Sequence, residues 1–140
     1  MLCLIGWQVR RLKVQKRIER FEDLNVWKQS REFCKVIYEL TSKNEFKKDY
    51  GLKDQIQRAV VSILTNIAEG LERDSNPEFK RFLNYSKGSA GEVRTLIYIA
   101  YDLNYITKKE FKINLEQSIS IIKQLSSFIK YLRTTIKPKT

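Results

Sequence analysis

The stretch QIQRAVVSILTNIAEG, residues 55–70, carries an apolar stripe and a polar stripe side by side. At about 100° per residue, the apolar positions share one face, which predicts a helix packed against a core. The apolar stripe comprises Leu52, Ile56, Val60, Ile63, Ile67 and Leu71, and the polar stripe comprises Gln55, Arg58, Ser62, Asn66 and Glu69. Amides and hydroxyls in one row favour hydrogen bonds to another helix or subunit, and a mixed solvated face is the alternative.

Capping signals place three more helices around this one. Asp23 and Asp49 are predicted N-caps, and Asn104 is predicted to end the third helix in the left-handed conformation. Ser75 with Glu78 and Thr107 with Glu110 have the spacing of capping boxes. We therefore predict helices over about residues 23–43, 50–72, 76–103 and 107–134.

These elements predict an all-α fold, an antiparallel up-and-down four-helix bundle with a basic N-terminal extension. The bundle is expected to span residues 21–135. Residues 1–20 are expected to be a basic arm, either flexible or added by an upstream start site, and residues 136–140 a basic tail. Two prolines and five glycines favour long helices over a sheet with many turns.

The short turn near residue 75 makes the second and third helices antiparallel neighbours and fixes which positions face each other. This register sets Ser62 opposite Gly88 and Ser89, Arg58 opposite Glu92, and Glu69 opposite Arg81. The predicted inter-helix polar network comprises Gln55, Arg58, Ser62, Asn66, Glu69, Ser89 and Glu92. Gly88 and Gly91 predict a close approach of helices, because glycine inside a helix costs about 1 kcal/mol relative to alanine. Gly70 is interpreted either as a C-terminal residue in the left-handed conformation or as a point of close approach.

The fourth helix carries more apolar surface than one bundle seam requires. Its predicted core face comprises Phe111, Leu115, Ile119, Ile122, Leu125, Ile129 and Leu132. Ile121 and Phe128 fall well off that face, so the excess surface is expected to be buried between subunits.

The net charge of +11 favours a polyanionic partner, with RNA or DNA first and an acidic membrane surface second. Residues 1–20 hold six basic side chains and one acidic one, and a further row of lysines follows one side of the fourth helix. The row is interpreted as a phosphate-binding stripe, with a solvated lysine face as the alternative. The candidate nucleic-acid-binding residues are Lys108, Lys112, Lys123, Lys130, Arg133, Lys137, Arg10 and Arg11.

The absence of histidine removes the commonest general base, the usual zinc ligand and the Ser-His and Cys-His nucleophile pairs. Cys3 and Cys34 have neither metal-ligand nor disulfide-framework spacing, and a reducing cytoplasm fits them. No run approaches the roughly 20 apolar residues that a membrane span needs. We therefore expect a cytoplasmic protein that is not an enzyme, has no cofactor or metal, and does not span a membrane. A carboxylate-dependent nuclease using Glu69 or Glu92 is the enzymatic alternative.

Several short motifs together resemble a known family over about residues 21–135. They are Phe21-Glu22-Asp23-Leu24 to Trp27, Tyr50-Gly51-Leu52 to Gln55, Arg58-Ala59, Ser62-Ile63, Asn66-Ile67-Ala68-Glu69-Gly70, Glu78-Phe79 to Phe82-Leu83, and Gly88-Ser89 to Glu92. In order and spacing they resemble the bacterial four-helix-bundle proteins called 23S rRNA intervening-sequence proteins. The arm before Phe21 and the glycine at position 91 depart from that pattern.

The resemblance implies functions that composition does not. The family is related to the accessory variability protein of diversity-generating retroelements, a basic pentamer that binds nucleic acid and a reverse transcriptase. It therefore implies a homo-oligomer, a pentamer, whose basic surface contacts structured RNA or DNA, and a reverse transcriptase as a further partner. The alternative function is a protein-binding scaffold or accessory subunit with no direct nucleic-acid contact.

Overall fold

Four helices make up most of residues 18–135, the part of the chain that this computed structural model describes. They are α1 (Asn25–Thr41), α2 (Tyr50–Glu72), α3 (Asn76–Asp102) and α4 (Lys108–Thr135). Single 3-10 turns lie at Phe21–Asp23 and Phe46–Lys48. Each helix packs antiparallel to the next, so the predicted four-helix bundle is confirmed.

The helix starts follow from local hydrogen bonds. The Asp49 carboxylate accepts a bond from the Leu52 backbone N–H at 3.1 Å, which caps α2. Thr107 and Glu110 form a complete capping box: each backbone N–H donates to the other side chain, at 2.9 and 3.1 Å. Asn104 has a φ of 63°, the left-handed conformation predicted for it after α3.

Two predicted caps differ in the structure. Asp23 lies in the 3-10 turn, and the N-cap of α1 is Leu24, which has no side-chain capping bond. Ser75 accepts a bond from the Glu78 N–H at 3.3 Å, but the Glu78 carboxylate bonds Arg81 at 2.8 Å rather than turning back. The Ser75–Glu78 capping box is therefore only half formed, because the Arg81 guanidinium competes for the Glu78 carboxylate.

The core lies where the apolar faces of the four helices meet, and its most extensive contact joins α2 and α3. The largest fully buried side chains are Phe33, Phe46, Ile37, Ile56, Ile63, Ile67, Leu83, Ile97, Ile121, Leu125, Val60 and Val93. The buried face of α2 is thus the predicted apolar stripe at Ile56, Ile63 and Ile67.

Gly70 marks a close approach of α2 to α3. A Cβ at this position would lie 2.7 Å from the Phe82 Cβ and 3.3 Å from the Phe79 backbone oxygen. Gly70 is therefore a point of close approach inside α2, not a terminal residue. The same prediction is wrong for Gly88 and Gly91, where a Cβ would meet nothing within 4 Å.

The core face of α4 is rotated from the predicted one. Ile121 is fully buried beside Leu125, whereas Leu115, Ile119 and Ile122 are only half-buried. Asn114 and Ser118 are also buried, so two polar residues lie on the true core face. Both side chains donate to backbone carbonyls one helical turn earlier, at Glu110 and Leu115, which offsets part of the cost of burying them. The Asn114 Oδ1 is buried without a hydrogen-bond partner among the described residues.

The seam between α1 and α4 is polar. The Gln29 amide donates to the Gln117 side chain at 3.0 Å and to the Ser120 hydroxyl at 3.1 Å. At the other end, Lys43 bonds the Glu110 carboxylate at 2.9 Å. Partial burial disfavours the ionised carboxylate, but bonds from Lys43 and Thr107 outweigh it and lower the pKa of Glu110.

Gly70→Ala and Gly88→Ala should change stability in opposite directions. At Gly70 the added methyl overlaps Phe82, and forced packing of this kind costs about 1–3 kcal/mol. At Gly88 the methyl meets open space and the helix gains up to about 1 kcal/mol. Urea unfolding of the two variants should therefore move the midpoint down for Gly70→Ala and up for Gly88→Ala. Equal stabilisation by both substitutions would contradict the close contact at Gly70.

Candidate nucleic-acid interface

The basic side chains predicted on the fourth helix all reach solvent where the structure describes them. Lys108, Lys112, Lys123, Lys130 and Arg133 are exposed. At about 100° per residue they lie within roughly 80° of one another on the side of α4 next to α3. The other predicted residues, Lys137, Arg10 and Arg11, lie outside the described residues.

Helix α3 contributes three further basic residues to the same side. The Phe79 and Phe128 rings are 5.2 Å apart, and so are the Tyr98 and Phe111 rings. These two contacts show which residues of α3 and α4 lie at the same height along the antiparallel pair. They place Lys80 near Lys130 and Lys87 near Lys123. The third basic residue, Arg94, follows Lys87 by seven residues, which is two helical turns, so all three lie on the side of α3 next to α4.

We call this set the α3–α4 basic face. It comprises Lys80, Lys87, Arg94, Lys108, Lys112, Lys123, Lys130 and Arg133. Within the described residues, none of these eight side chains has a carboxylate oxygen within 4.0 Å. The face therefore has a net positive charge, with eight basic side chains that form no ion pair, which is the electrostatic requirement for attracting phosphates.

Three of the five acids of these two helices are already engaged. Glu92 accepts a bond from Gln55 of α2 at 3.2 Å, and Glu110 is bonded to Lys43 of α1. Glu78 pairs with Arg81 at 2.8 Å, and this hydrogen bond lowers the pKa of Glu78. Asp102 and Glu116, the remaining acids of α3 and α4, are exposed and lie on the same side as the basic residues. Neither has a basic nitrogen within 4.0 Å among the described residues.

Several arginines elsewhere in the bundle have local carboxylate partners. Arg58 pairs with Asp54 at 2.8 Å, four residues away on α2, and this bond raises the pKa of Arg58. Arg73 pairs with Glu69 at 3.0 Å, again four residues apart. Such exposed pairs contribute little stability, but they neutralise charge where they form. None of these pairs involves the α3–α4 basic face, whose eight basic side chains remain without an ion pair among the described residues.

The predicted polar network between α2 and α3 is centred on Ser62. Its hydroxyl accepts bonds from the Ser89 hydroxyl at 2.8 Å and from the Asn66 amide at 2.9 Å. One turn away, the buried Ser86 hydroxyl donates to the Ile63 carbonyl at 2.8 Å. The predicted facing of Ser62 and Ser89 is thus present.

The predicted charge pairs across this seam are wrong. Arg58 bonds Asp54 on its own helix, and its place beside Glu92 is taken by Gln55. Glu69 bonds Arg73, and Arg81 bonds Glu78 and the Tyr85 hydroxyl. The observed charge pairs lie within one helix, because side chains three or four residues apart are already neighbours on the helix surface.

Sequence reasoning assigned the basic face to α4 alone and missed Lys80, Lys87 and Arg94. Their seven-residue spacing indicates that they share one side of α3. It does not show that this side lies next to α4, which only the packing of the two helices reveals. Conversely, Leu115 and Ile119 were expected in the core, and they lie half-buried beside the lysines.

Two negative observations apply to residues 18–135. No helix there combines the length and apolarity needed to cross a membrane. No group of three or more His, Cys, Asp or Glu side chains in that range is arranged to hold a metal ion.

The fold and this surface define a class, an all-α four-helix bundle with a basic face along two adjacent helices. The chain belongs to the family described as 23S rRNA-intervening sequence protein, whose pattern it matches over residues 22–127. This confirms the resemblance drawn from the sequence motifs.

A solved structure supports the same assignment. It is the crystal structure of a protein with unknown function from the S23 ribosomal protein family of Bacteroides thetaiotaomicron VPI-5482. The two chains are 29% identical and superpose with a TM-score of 0.70, over 75% of this chain and 98% of that chain. A comparison with curated proteins gives no match.

Proposed function

We propose that this protein acts by binding, without catalysis, and that its ligand is the sugar-phosphate backbone of RNA or DNA. The observation that carries the proposal is the α3–α4 basic face, eight exposed or half-exposed basic side chains without a carboxylate partner among the described residues. Each phosphate neutralised by such a side chain releases a condensed counterion, which drives association. The face consists of side chains on two adjacent antiparallel helices and offers no element that enters a groove. It is therefore expected to contact the nucleic-acid backbone and recognise its shape rather than its base sequence.

Charge removal on this face should weaken binding and its dependence on salt together. For the triple variant Lys112→Gln, Lys123→Gln, Lys130→Gln, we expect lower affinity for a structured RNA in fluorescence anisotropy. The slope of log affinity against log salt should become shallower by about 0.7–0.9 for each phosphate that the variant no longer neutralises. The matched control, Lys35→Gln, Lys47→Gln, Lys48→Gln, removes the same charge from α1 and the following turn.

The two variants distinguish a defined face from general attraction. Equal weakening by both triple variants would show that net charge alone attracts RNA. Absence of binding at low salt in the unsubstituted protein would contradict nucleic-acid binding altogether and would favour the scaffold that contacts only proteins.

We also propose that copies of the chain associate through the α1–α4 side. Two large apolar side chains are exposed there, Val36 at 38% and Ile113 at 46%. The bonds from Lys43 to Glu110 and from Gln29 to Gln117 place these two side chains in the same stretch of that seam. Association on this side leaves the α3–α4 basic face free for nucleic acid.

Self-association should depend on this apolar pair. Light scattering is expected to show an oligomer, with five copies as the count implied by resemblance to the accessory variability protein. Val36→Glu combined with Ile113→Glu should lower the subunit count, because a buried unpaired carboxylate opposes the contact. A monomeric unsubstituted protein would contradict the proposal. A reverse transcriptase partner stays an implication of that resemblance.

A further inference from the structure

Tyr98 is an exposed aromatic ring inside the α3–α4 basic face. It is 44% exposed, and it packs edge-to-face against Phe111 of α4 with ring centroids 5.2 Å apart. Phe111 in turn stacks on Tyr101 at 4.3 Å with an angle of 14° between the rings. The Phe111 contact therefore holds the Tyr98 ring in place while part of the ring faces solvent. Because the ring is already ordered, little side-chain entropy is lost when a ligand binds to it.

Basic residues lie beside this ring on both α3 and α4. Arg94 lies one helical turn before Tyr98 on α3, and Lys112 directly follows the Phe111 that Tyr98 touches. Asp102, one turn after Tyr98, is the nearest acid along α3. A phosphate backbone attracted to Arg94 and Lys112 thus passes beside an aromatic surface about one helical turn wide.

The other strongly exposed tyrosines do not share this setting. Tyr85 accepts a bond from Arg81 at 2.9 Å and packs against Phe82, so its ring is already engaged. Tyr38 and Tyr50 belong to α1 and α2, away from the basic face. Tyr38 is exposed to the same fraction as Tyr98, 44%, which makes it a matched control.

We infer that the α3–α4 basic face takes a single-stranded segment of nucleic acid and that an unpaired base stacks on Tyr98. The inference rests on the proposed function and adds the form of the ligand. Lysines and arginines alone attract single strands and duplexes alike, since both carry phosphates. In a duplex the base faces are covered by their neighbours, whereas an unpaired base can turn onto a protein ring.

The test compares one labelled RNA strand with the duplex that it forms with its complement, using the full chain and fluorescence anisotropy. Tyr98→Leu should lose about 5- to 150-fold in affinity for the strand, the range found when a stacking aromatic is removed. Its affinity for the duplex and the salt slope for the strand should stay unchanged, because no charge is removed. Tyr98→Phe should retain strand binding, and Tyr38→Leu should change neither ligand. A DNA strand of the same sequence should show the same loss, since every base has a stacking face.

The contrary outcomes separate this inference from the proposed function. If the unsubstituted protein binds RNA but Tyr98→Leu weakens strand and duplex equally, or neither, stacking is overturned and backbone binding stands. If Tyr98→Leu lowers the subunit count in light scattering, Tyr98 belongs to a contact between copies and the inference is overturned. If the unsubstituted protein binds neither ligand at low salt, the proposed function and the inference fail together.

Discussion

The contact of Gly70 with Phe79 and Phe82 constrains the whole bundle, because it brings α2 against α3 at the end next to their short turn. Two long helices held closely at one end remain in register along their length. In this register the Ser89 hydroxyl donates to the Ser62 hydroxyl and the Ser86 hydroxyl donates to the Ile63 carbonyl. The register also determines which side of α3 remains for α4.

The orientation of α3 explains where the positive charge of the protein collects. The side of α3 that faces α2 carries Ser89 and Glu92, whose side chains bond residues of α2. The opposite side carries Lys80, Lys87 and Arg94 and lies next to the lysines of α4. Asp54 and Glu69 on α2 and Glu78 at the start of α3 pair with nearby arginines rather than with the basic face. Eight basic side chains without an ion pair thus lie together on one side of the described bundle, and an uneven field guides a polyanion to one side.

Features determined by local geometry could be predicted from the sequence. Asp49 and Thr107 cap helices through bonds to residues three positions away, so their spacing alone was informative. The short turn made α2 and α3 antiparallel, and this sufficed to set Ser62 against Ser89. The family resemblance used the same motifs, read in order along the chain.

Features that depend on a choice between partners could not be predicted in this way. Arg58 had two possible carboxylate partners, Glu92 on α3 and Asp54 on its own helix. The sequence spacing alone did not indicate that it bonds Asp54. In α4 the apolar arc was so wide that two core faces fitted it, and the structure selects the one containing Ile121. Glycine at 88 and 91 suggested close packing, yet both positions are open, and the helix bears a propensity cost that no contact within the described residues explains. The basic face needed the relative rotation of α3 and α4, which no single helix contains.

A double-mutant cycle on Ser62 and Ser89 tests the α2–α3 register most directly. Stability is measured by urea unfolding for Ser62→Ala, Ser89→Ala and the double variant, with Arg58→Gln and Glu92→Gln as the reference cycle. The account predicts a coupling of about 0.5–1.5 kcal/mol for the serines, the range of a hydrogen bond between protein groups, and coupling near zero for the reference pair. Additive losses for the serines together with clear coupling between Arg58 and Glu92 would contradict it.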